Sequence, residues 1–363
     1  MARILHVLTS PRAEGTPRLV LDWLTVASHE QGVVFLMEEP ADLLDDFRKT
    51  NCWLHVKPGR LGRRLAKYPQ VIGTVHRAVR RFRPDVVLAW PNGLAHLIHL
   101  GARTAGGARL LTHAGTAPGK TLYSRYLYNW LCFGVSRMCG HRVVACSEYV
   151  RQEFLSIPFL TRSHVVATHN CCRVGAFIPP PDAIRFPNRA CMVGSLESSK
   201  DYPCLLKAWR LVEERGDFEL VIAGGGSKMA EYKEQAVRLG LRKVTFLGVV
   251  RDIPSLLWTS RVFAFSARPE EGFGTVLIEA LAAGCRVVAS DVPGCREVLQ
   301  AGKCGMLVVP GSPSSFADAL IDALSRPAAP AEVAEARDYA RGFSPEKMVS
   351  EYLRLSGHGR PAL

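Results

Sequence analysis

The sequence predicts two doubly wound α/β domains, each a parallel sheet with helices on both faces. Three observations predict this. Short apolar runs alternate with amphipathic stretches along most of the chain, the rhythm of β-α-β units. The chain has 363 residues, room for two domains of ordinary size. The rhythm pauses once, at 169–189, where His169-Asn170-Cys171-Cys172 leads to Pro179-Pro180-Pro181, a stiff extended stretch that no central strand accommodates.

The first domain, 1–170, is expected to hold strands at 4–8, 33–36, 86–90, 110–112 and 143–146. The second, 171–343, is expected to hold strands at 190–193, 220–223, 244–247, 262–265 and 287–289. A last helix opens at Ser344, a capping residue, with Pro345 suited to the first turn, and runs to Leu355 within a terminal segment 344–363.

Composition narrows the function classes. Apolar residues make up 48% of the chain, which supplies sizeable cores and excludes a disordered chain, a coiled coil or a disulfide-stapled miniprotein. The 11 cysteines include no C-x-x-C pair and no zinc spacing, which points to reduced thiols in a cytosolic protein. No two aspartates are spaced i, i+2, and no Cys/His cluster appears, so no metal and no other cofactor is expected. The start, Met1 to Leu8, is too short for a signal-peptide core, and no apolar run approaches a bilayer span. Membrane contact, if made, is expected to be peripheral. The net charge of +13 is uneven. Residues 1–180 hold 23 Lys+Arg against 11 Asp+Glu, a net +12, which leaves the remainder at +1. A basic half joined to a neutral half suggests two tasks, one of them at an anionic surface.

The most informative segment is 269–284, Pro-Glu-Glu-Gly-Phe-Gly-Thr followed by an apolar helical run ending in Ala283-Gly284. It follows an expected strand. Gly272 and Gly274 form a tight turn whose backbone can approach a ligand closely, and a helix starts near Thr275. The amides and dipole of a helix start attract phosphate. Glu271 on the loop and Glu279 one turn into the helix are poor phosphate ligands but good acceptors for sugar hydroxyls. Phosphate flanked by two such carboxylates describes a nucleotide sugar. The bland alternative is a helix with a tight entry turn and two solvated glutamates.

This segment closely resembles the E-x7-E signature of retaining nucleotide-sugar glycosyltransferases of family 4, which have the GT-B fold: two Rossmann-like domains facing a central cleft. The resemblance runs along most of the chain. Residues 4–8 with Gly15 resemble the family's first strand and glycine loop, although Glu14 stands where a second glycine is usual. His113-Ala114-Gly115 resembles its histidine loop, and Val144-Ala145-Cys146-Ser147 its last N-domain strand and helix cap. Gly194-Ser195-Leu196 with Lys200 resembles its G-R-L-x3-K element, with Ser195 in place of the usual Arg. The segment 220–226 and Phe246-Leu247-Gly248 match its next strands and turns.

The resemblance implies roles. Glu279 would take the ribose hydroxyls and Glu271 the transferred sugar. Backbone amides of Gly272, Phe273 and Gly274, with Thr275 opening the helix, would line the sugar and diphosphate. Lys200 would neutralise the diphosphate as the bond breaks, alone or helped by Arg268. Val250 and Asp252 would lie near the base. His113 and Gly15 would close over the sugar, and the 344–363 segment would cross back to the N-domain. The implied protein is a retaining glycosyltransferase acting on a lipid-linked or cell-envelope glycan acceptor, with the donor on the C-terminal domain and the acceptor on the basic N-terminal one. A nucleotide-sugar epimerase would share this architecture.

A rival signal is Ala114 to Thr121, a relaxed P-loop ending Gly119-Lys120-Thr121. Pro118 stiffens that loop, and no clear apolar strand ending in Asp follows to hold magnesium. Gly224-Gly225-Gly226 lacks the third small position of a dinucleotide fingerprint, since Met229 occupies it.

The charge excess concentrates at 57–84, with nine basic side chains and no acid. Arg60, Arg63, Arg64 and Lys67 have the spacing of one helical face. Arg77, Arg80 and Arg81 follow on a second helix, opposite an apolar stripe of Ile72, Val75, Val79 and Phe82, with Pro69 between the two helices. This pattern suits the anionic inner face of a cytoplasmic membrane. The aromatic run at 121–140 is a second candidate for such contact. The bland reading of both is a stripe packed on the sheet. No nucleic-acid-binding signature is present.

Overall fold

The computed structural model describes residues 2–62, 64–119, 140–158 and 160–358. The chain divides into two compact units, Met1–Cys171 with Pro345–Leu363, and Cys172–Ser344.

The first unit is built on seven parallel strands: β1 (Arg3–Leu8), β2 (Glu30–Phe35), β3 (Trp53–Val56), β4 (Val86–Ala89), β5 (Arg109–Ala114), β6 (Arg142–Ala145) and β7 (Val165–Ala167). Their order is β3-β2-β1-β4-β5-β6-β7. The central strands are apolar runs because helices cover both faces, so nearly every side chain of β1, β2 and β4 is buried. The sheet reverses direction of winding between β1 and β4, which pair in register from Ile4↔Val86 to Val7↔Ala89. The helix Pro345–Leu355 closes this unit. Its Met348, Val349, Tyr352, Leu353 and Leu355 join Ile4, Leu8, Trp23 and Phe35 in one apolar core. Arg109 and Arg142, at the starts of β5 and β6, donate to the carbonyls of Ser356 and Leu355, where cations suit the negative helix end.

The basic segment differs from expectation. Residues 57–62 are not helical, Arg64–Ala66 form one 3-10 turn, and a single helix runs Lys67–Phe82. Pro69 does not separate two helices. It lies in the first turn, where its missing N–H forfeits no intrahelical bond. Arg60 therefore shares no helical face with Lys67, and its guanidinium pairs with Glu39 at 3.4 Å. Arg63 and the Arg64 side chain lie outside the described residues. The apolar stripe is core: Val71, Val75, Ala78, Val79 and Phe82 are buried, while Arg77, Arg80 and Arg81 point to solvent. The stripe packs within the unit, so it has no apolar face left to insert into a bilayer. Most of the 121–140 aromatic run, and Lys120 of the rival loop, also lie outside the described residues.

The second unit holds six parallel strands: β8 (Phe186–Val193), β9 (Glu219–Ala223), β10 (Val244–Gly248), β11 (Ser260–Phe265), β12 (Arg286–Ser290) and β13 (Met306–Val308). Their order is β10-β9-β8-β11-β12-β13, again winding outward from a central pair. Among the described residues no helix is long and apolar enough to cross a membrane.

Candidate functional site

In open α/β sheets ligands bind beyond the carboxyl ends of the strands, at the switch point. In the second unit that is the end of β8 and β11, where Gly194 to Lys200 and Ser266 to Gly274 lie. The two segments hold one another. Lys200 and Ala267 form an antiparallel bridge, Arg268 N–H donates to Ser199 at 3.2 Å, and Asp201 N–H donates to Ser266 at 3.0 Å. From this clasp the Lys200 ammonium reaches the Glu271 carboxylate in an ion pair. Both side chains are largely enclosed, 12% and 13% exposed. The ammonium also lies 4.6 Å from the Phe265 ring centroid, a cation–π contact that holds it from a second side. Beneath the pair, burial and the Glu271 charge push the Cys295 thiol up, so it stays protonated and inert.

The helix Thr275–Ala283 starts at Gly274, whose φ of +74° is the left-handed conformation that a side chain resists. Its N-cap is a glycine with no side chain, so the start of the helix is formed by backbone at the positive end of the dipole. At its other end, Arg185 donates to the carbonyls of Ser260, Ala283 and Gly284, and Arg337 to Ala282 at 3.0 Å. Two guanidiniums so placed complement the negative end of the dipole. Phe273 is buried, 5.9 Å from the Phe343 ring, and anchors the loop between Glu271 and the helix. Glu279 is half-buried on the helix's second turn.

Sequence reasoning missed two supports of this loop. A Cβ on Gly294 would lie 2.5 Å from the Glu271 carbonyl oxygen, so only glycine lets the helix Pro293–Val298 approach so closely. Ser290 Oγ accepts from Ala267 N–H at 3.1 Å. The signal for the first was a glycine just inside a helix start; a lone serine ending a strand gave none.

The other expected donor residues stand apart. Val250 and Asp252 follow β10, at the sheet's edge. Asp252 caps the helix Ile253–Thr259, accepting from Ser255 N–H at 3.1 Å and Ser255 Oγ at 2.6 Å. The Ser195 segment is tied to the next turn instead: Leu196 N–H donates to Gly225 at 2.8 Å, and Glu197 accepts from Ser227 N–H at 2.7 Å and Ser227 Oγ at 2.6 Å.

In the first unit, Gly15 begins the helix Gly15–Val26, with open space where a side chain would stand. His113 is 2% exposed near the end of β5, and burial drives its pKa down to about 3, so it is neutral at physiological pH. Its Nδ1 meets Tyr352 Oη at 2.8 Å, and Trp90 packs 4.8 Å from its ring. Arg60, Lys67, Arg77, Arg80 and Arg81 belong to the outer basic segment and not to this cluster. Among the described residues no group of three or more His, Cys, Asp or Glu converges as a metal site.

Residues 183–341 match the family of glycosyl transferases group 1. Over 127 residues the chain is 37% identical to an uncharacterized glycosyltransferase of Methanocaldococcus jannaschii, covering 34% of this chain and 33% of that protein. Over 150 residues it is 35% identical to the phosphatidyl-myo-inositol mannosyltransferase of Mycobacterium leprae, covering 39% and 40%. These matches span about a third to two fifths of the length of the curated relatives. Along nearly its whole length the fold matches that of Anabaena HepE in complex with UDP and glucose, with a TM-score of 0.82, 18% identity and coverage of 98% and 99%. The expected resemblance is thus borne out: residues 183–341, within the second unit, match the glycosyl transferases group 1 model, and the two parallel sheets have the GT-B plan.

Proposed function

We propose that this protein is a retaining glycosyltransferase that moves a sugar from a nucleotide-diphosphate donor to a lipid-linked or cell-envelope glycan. The observation that carries this reading is the Lys200–Glu271 pair clasped beside the glycine-led start of the helix Thr275–Ala283, inside the stretch that matches the family. One cation, one carboxylate and a positive helix end are what a sugar joined to a diphosphate requires. HepE, whose fold this chain shares, was solved with UDP and glucose, and the similar proteins include a phosphatidyl-myo-inositol mannosyltransferase and an O-antigen chain mannosyltransferase.

In this reading the diphosphate lies at the helix start and draws the Lys200 ammonium, which stabilises charge on the leaving phosphate as the glycosidic bond breaks. Glu271 binds hydroxyls of the departing sugar, aided by the backbone of Gly272, Phe273 and Gly274, and Thr275 opens the helix beneath the phosphates. Glu279 takes the ribose. The turn carrying Val250 and Asp252 borders the base through its backbone, since the Asp252 carboxylate is engaged in capping. In the first unit, His113 and Gly15 are the residues that would take a sugar hydroxyl. The leaving phosphate accepts the proton of the attacking hydroxyl, so no protein base and no metal is required. The first unit binds the acceptor.

The exposed arginines 77, 80 and 81, with Arg60 and Lys67, hold the protein on an anionic membrane from the cytoplasmic side by charge alone, because the stripe beneath them is core. A thermal-shift panel of nucleotides and nucleotide sugars, including UDP-glucose and GDP-mannose, tests the donor assignment. Stabilisation by one nucleotide sugar family supports it, and no shift with any member refutes it.

A further inference from the structure

Tyr352 is separated from His113 by 239 positions, yet the two meet in the interior of the first unit. The phenol is buried, and burial pushes its pKa well up, so it keeps its proton. A buried hydroxyl proton left without an acceptor forfeits the hydrogen bond it made to water. Among the described residues the phenol's one hydrogen-bond partner is His113 Nδ1. The phenol therefore donates, Nδ1 accepts, and the single proton of the neutral imidazole sits on Nε2. That nitrogen lies 3.3 Å from where a Gly115 side chain would begin, so the ring edge carrying the N–H faces backbone that is kept bare.

The ring pair is held by a second chain of fixed polarity. Trp90 Nε1–H can only donate, and it donates to His6 Nδ1 at 3.1 Å. His6 must then carry its proton on Nε2, which donates to Gln31 Oε1 at 2.9 Å. The indole so fixed lies tilted 4.8 Å from His113 and stacks 6.2 Å from Tyr352. Trp23 abuts Tyr352 edge-on at 5.2 Å. Neither the imidazole nor the phenol can rotate without displacing a buried tryptophan.

We infer that Tyr352, on the terminal helix, is a positioning residue that fixes His113 in the Nε2–H tautomer, ready to donate to a sugar hydroxyl. The inference rests on the sugar-contacting role proposed for His113. It makes the terminal helix Pro345–Leu355 a functional part of the first unit and not only a structural cover.

Tyr352→Phe removes one oxygen and keeps the ring. In the full-length protein labelled with 15N-histidine, with His113→Gln assigning the resonance, the wild type should show Nδ1 as acceptor and Nε2 protonated. Tyr352→Phe should release His113 to a mixture of tautomers while His6 stays unchanged. Transfer from the donor that the nucleotide panel selects to a membrane-lipid extract should fall about tenfold in kcat, with donor KM unchanged. Combining Tyr352→Phe with His113→Gln should cost no more than His113→Gln alone. Unchanged His113 nitrogen shifts in Tyr352→Phe would overturn the inference while leaving the reading of His113 intact. Altered shifts with transfer unaffected by either substitution would instead remove His113, and with it Tyr352, from the reaction.

Discussion

All eleven histidines lie in Met1–Cys171 and Pro345–Leu363, and none lies in Cys172–Ser344. The two units share a parallel, doubly wound plan but place polarity in different ways. In the second unit the candidate site is made of backbone and an ion pair: a glycine-led helix start, a glycine pressed against a carbonyl, and Lys200 against Glu271. In the first unit it is made of buried neutral rings, with the surplus positive charge kept outside on Arg77, Arg80 and Arg81. The comparison teaches that the +13 does not describe either site. In the proposed reading one site handles an anion with few charges, while the other is lined by neutral rings.

The largest effect that sharpens this contrast is acid. His6 and His99 have pKa values lowered by burial to about 4 and about 3, His113 also to about 3, and His141 is lowered well below its ordinary value. His99 and His141 lie 4.1 Å apart and share the Thr112 hydroxyl. A lowered histidine pKa means that the unfolded chain takes up protons below pH 6.5 that the folded one refuses. Stability is therefore full above pH 6.5 and falls as pH drops toward the folded values. Each such group costs up to about 1.4 kcal/mol per pH unit, and four together up to about 6 per pH unit. Calorimetry between pH 7 and 5 should show the transition of the first unit falling steeply and that of the second barely moving. Parallel decline of both would break the contrast.

Next comes Lys200→Ala. Removing the one cation beside Glu271 should lower transfer by about 10²–10³. Lys200→Arg, which keeps the charge, should recover part of it. A Lys200→Ala enzyme with full kcat would remove electrostatic help at the diphosphate from the account. Smaller again is Gly294→Ala, whose new methyl presses on the Glu271 carbonyl and should cost about 1–3 kcal/mol in thermal stability together with weaker donor binding. Arg185→Ala, which strips three carbonyls of a donor at the end of the helix Thr275–Ala283, should cost about 1–2 kcal/mol in urea unfolding of the second unit. Smallest in stability is the triple change of Arg77, Arg80 and Arg81 to Gln, expected within about 0.5 kcal/mol of wild type. The same variant should lose sedimentation with anionic liposomes in a salt-dependent way. Unchanged sedimentation would remove this surface from membrane contact.

The same division governs what the sequence could reveal. Central strands were legible because burial on both faces makes them continuous apolar runs. The strands β3, β7 and β13 were not, since three or four residues at a sheet edge carry too little pattern. The glutamates and glycines of 271–279 were legible because they stand at fixed local spacing about a single glycine-led helix start. The basic segment misled because i, i+4 spacing continued through residues that are not helical, and Pro69 looked like a break when it was a first-turn residue. The contact of Tyr352 with His113 and the packing of Gly294 on Glu271 join distant parts of the chain, and no local pattern announces either one.

The central claim is that the second unit binds the donor through Lys200, Glu271 and Glu279. Isothermal titration of the nucleotide sugar selected by the thermal panel, into wild type, Glu279→Ala and Lys120→Ala, tests it most directly. The account predicts that Glu279→Ala weakens binding at least about tenfold, the worth of a carboxylate's hydrogen bonds to ribose, while Lys120→Ala binds like wild type. Binding lost in Lys120→Ala and kept in Glu279→Ala would contradict it and place the nucleotide on the loop at 114–121.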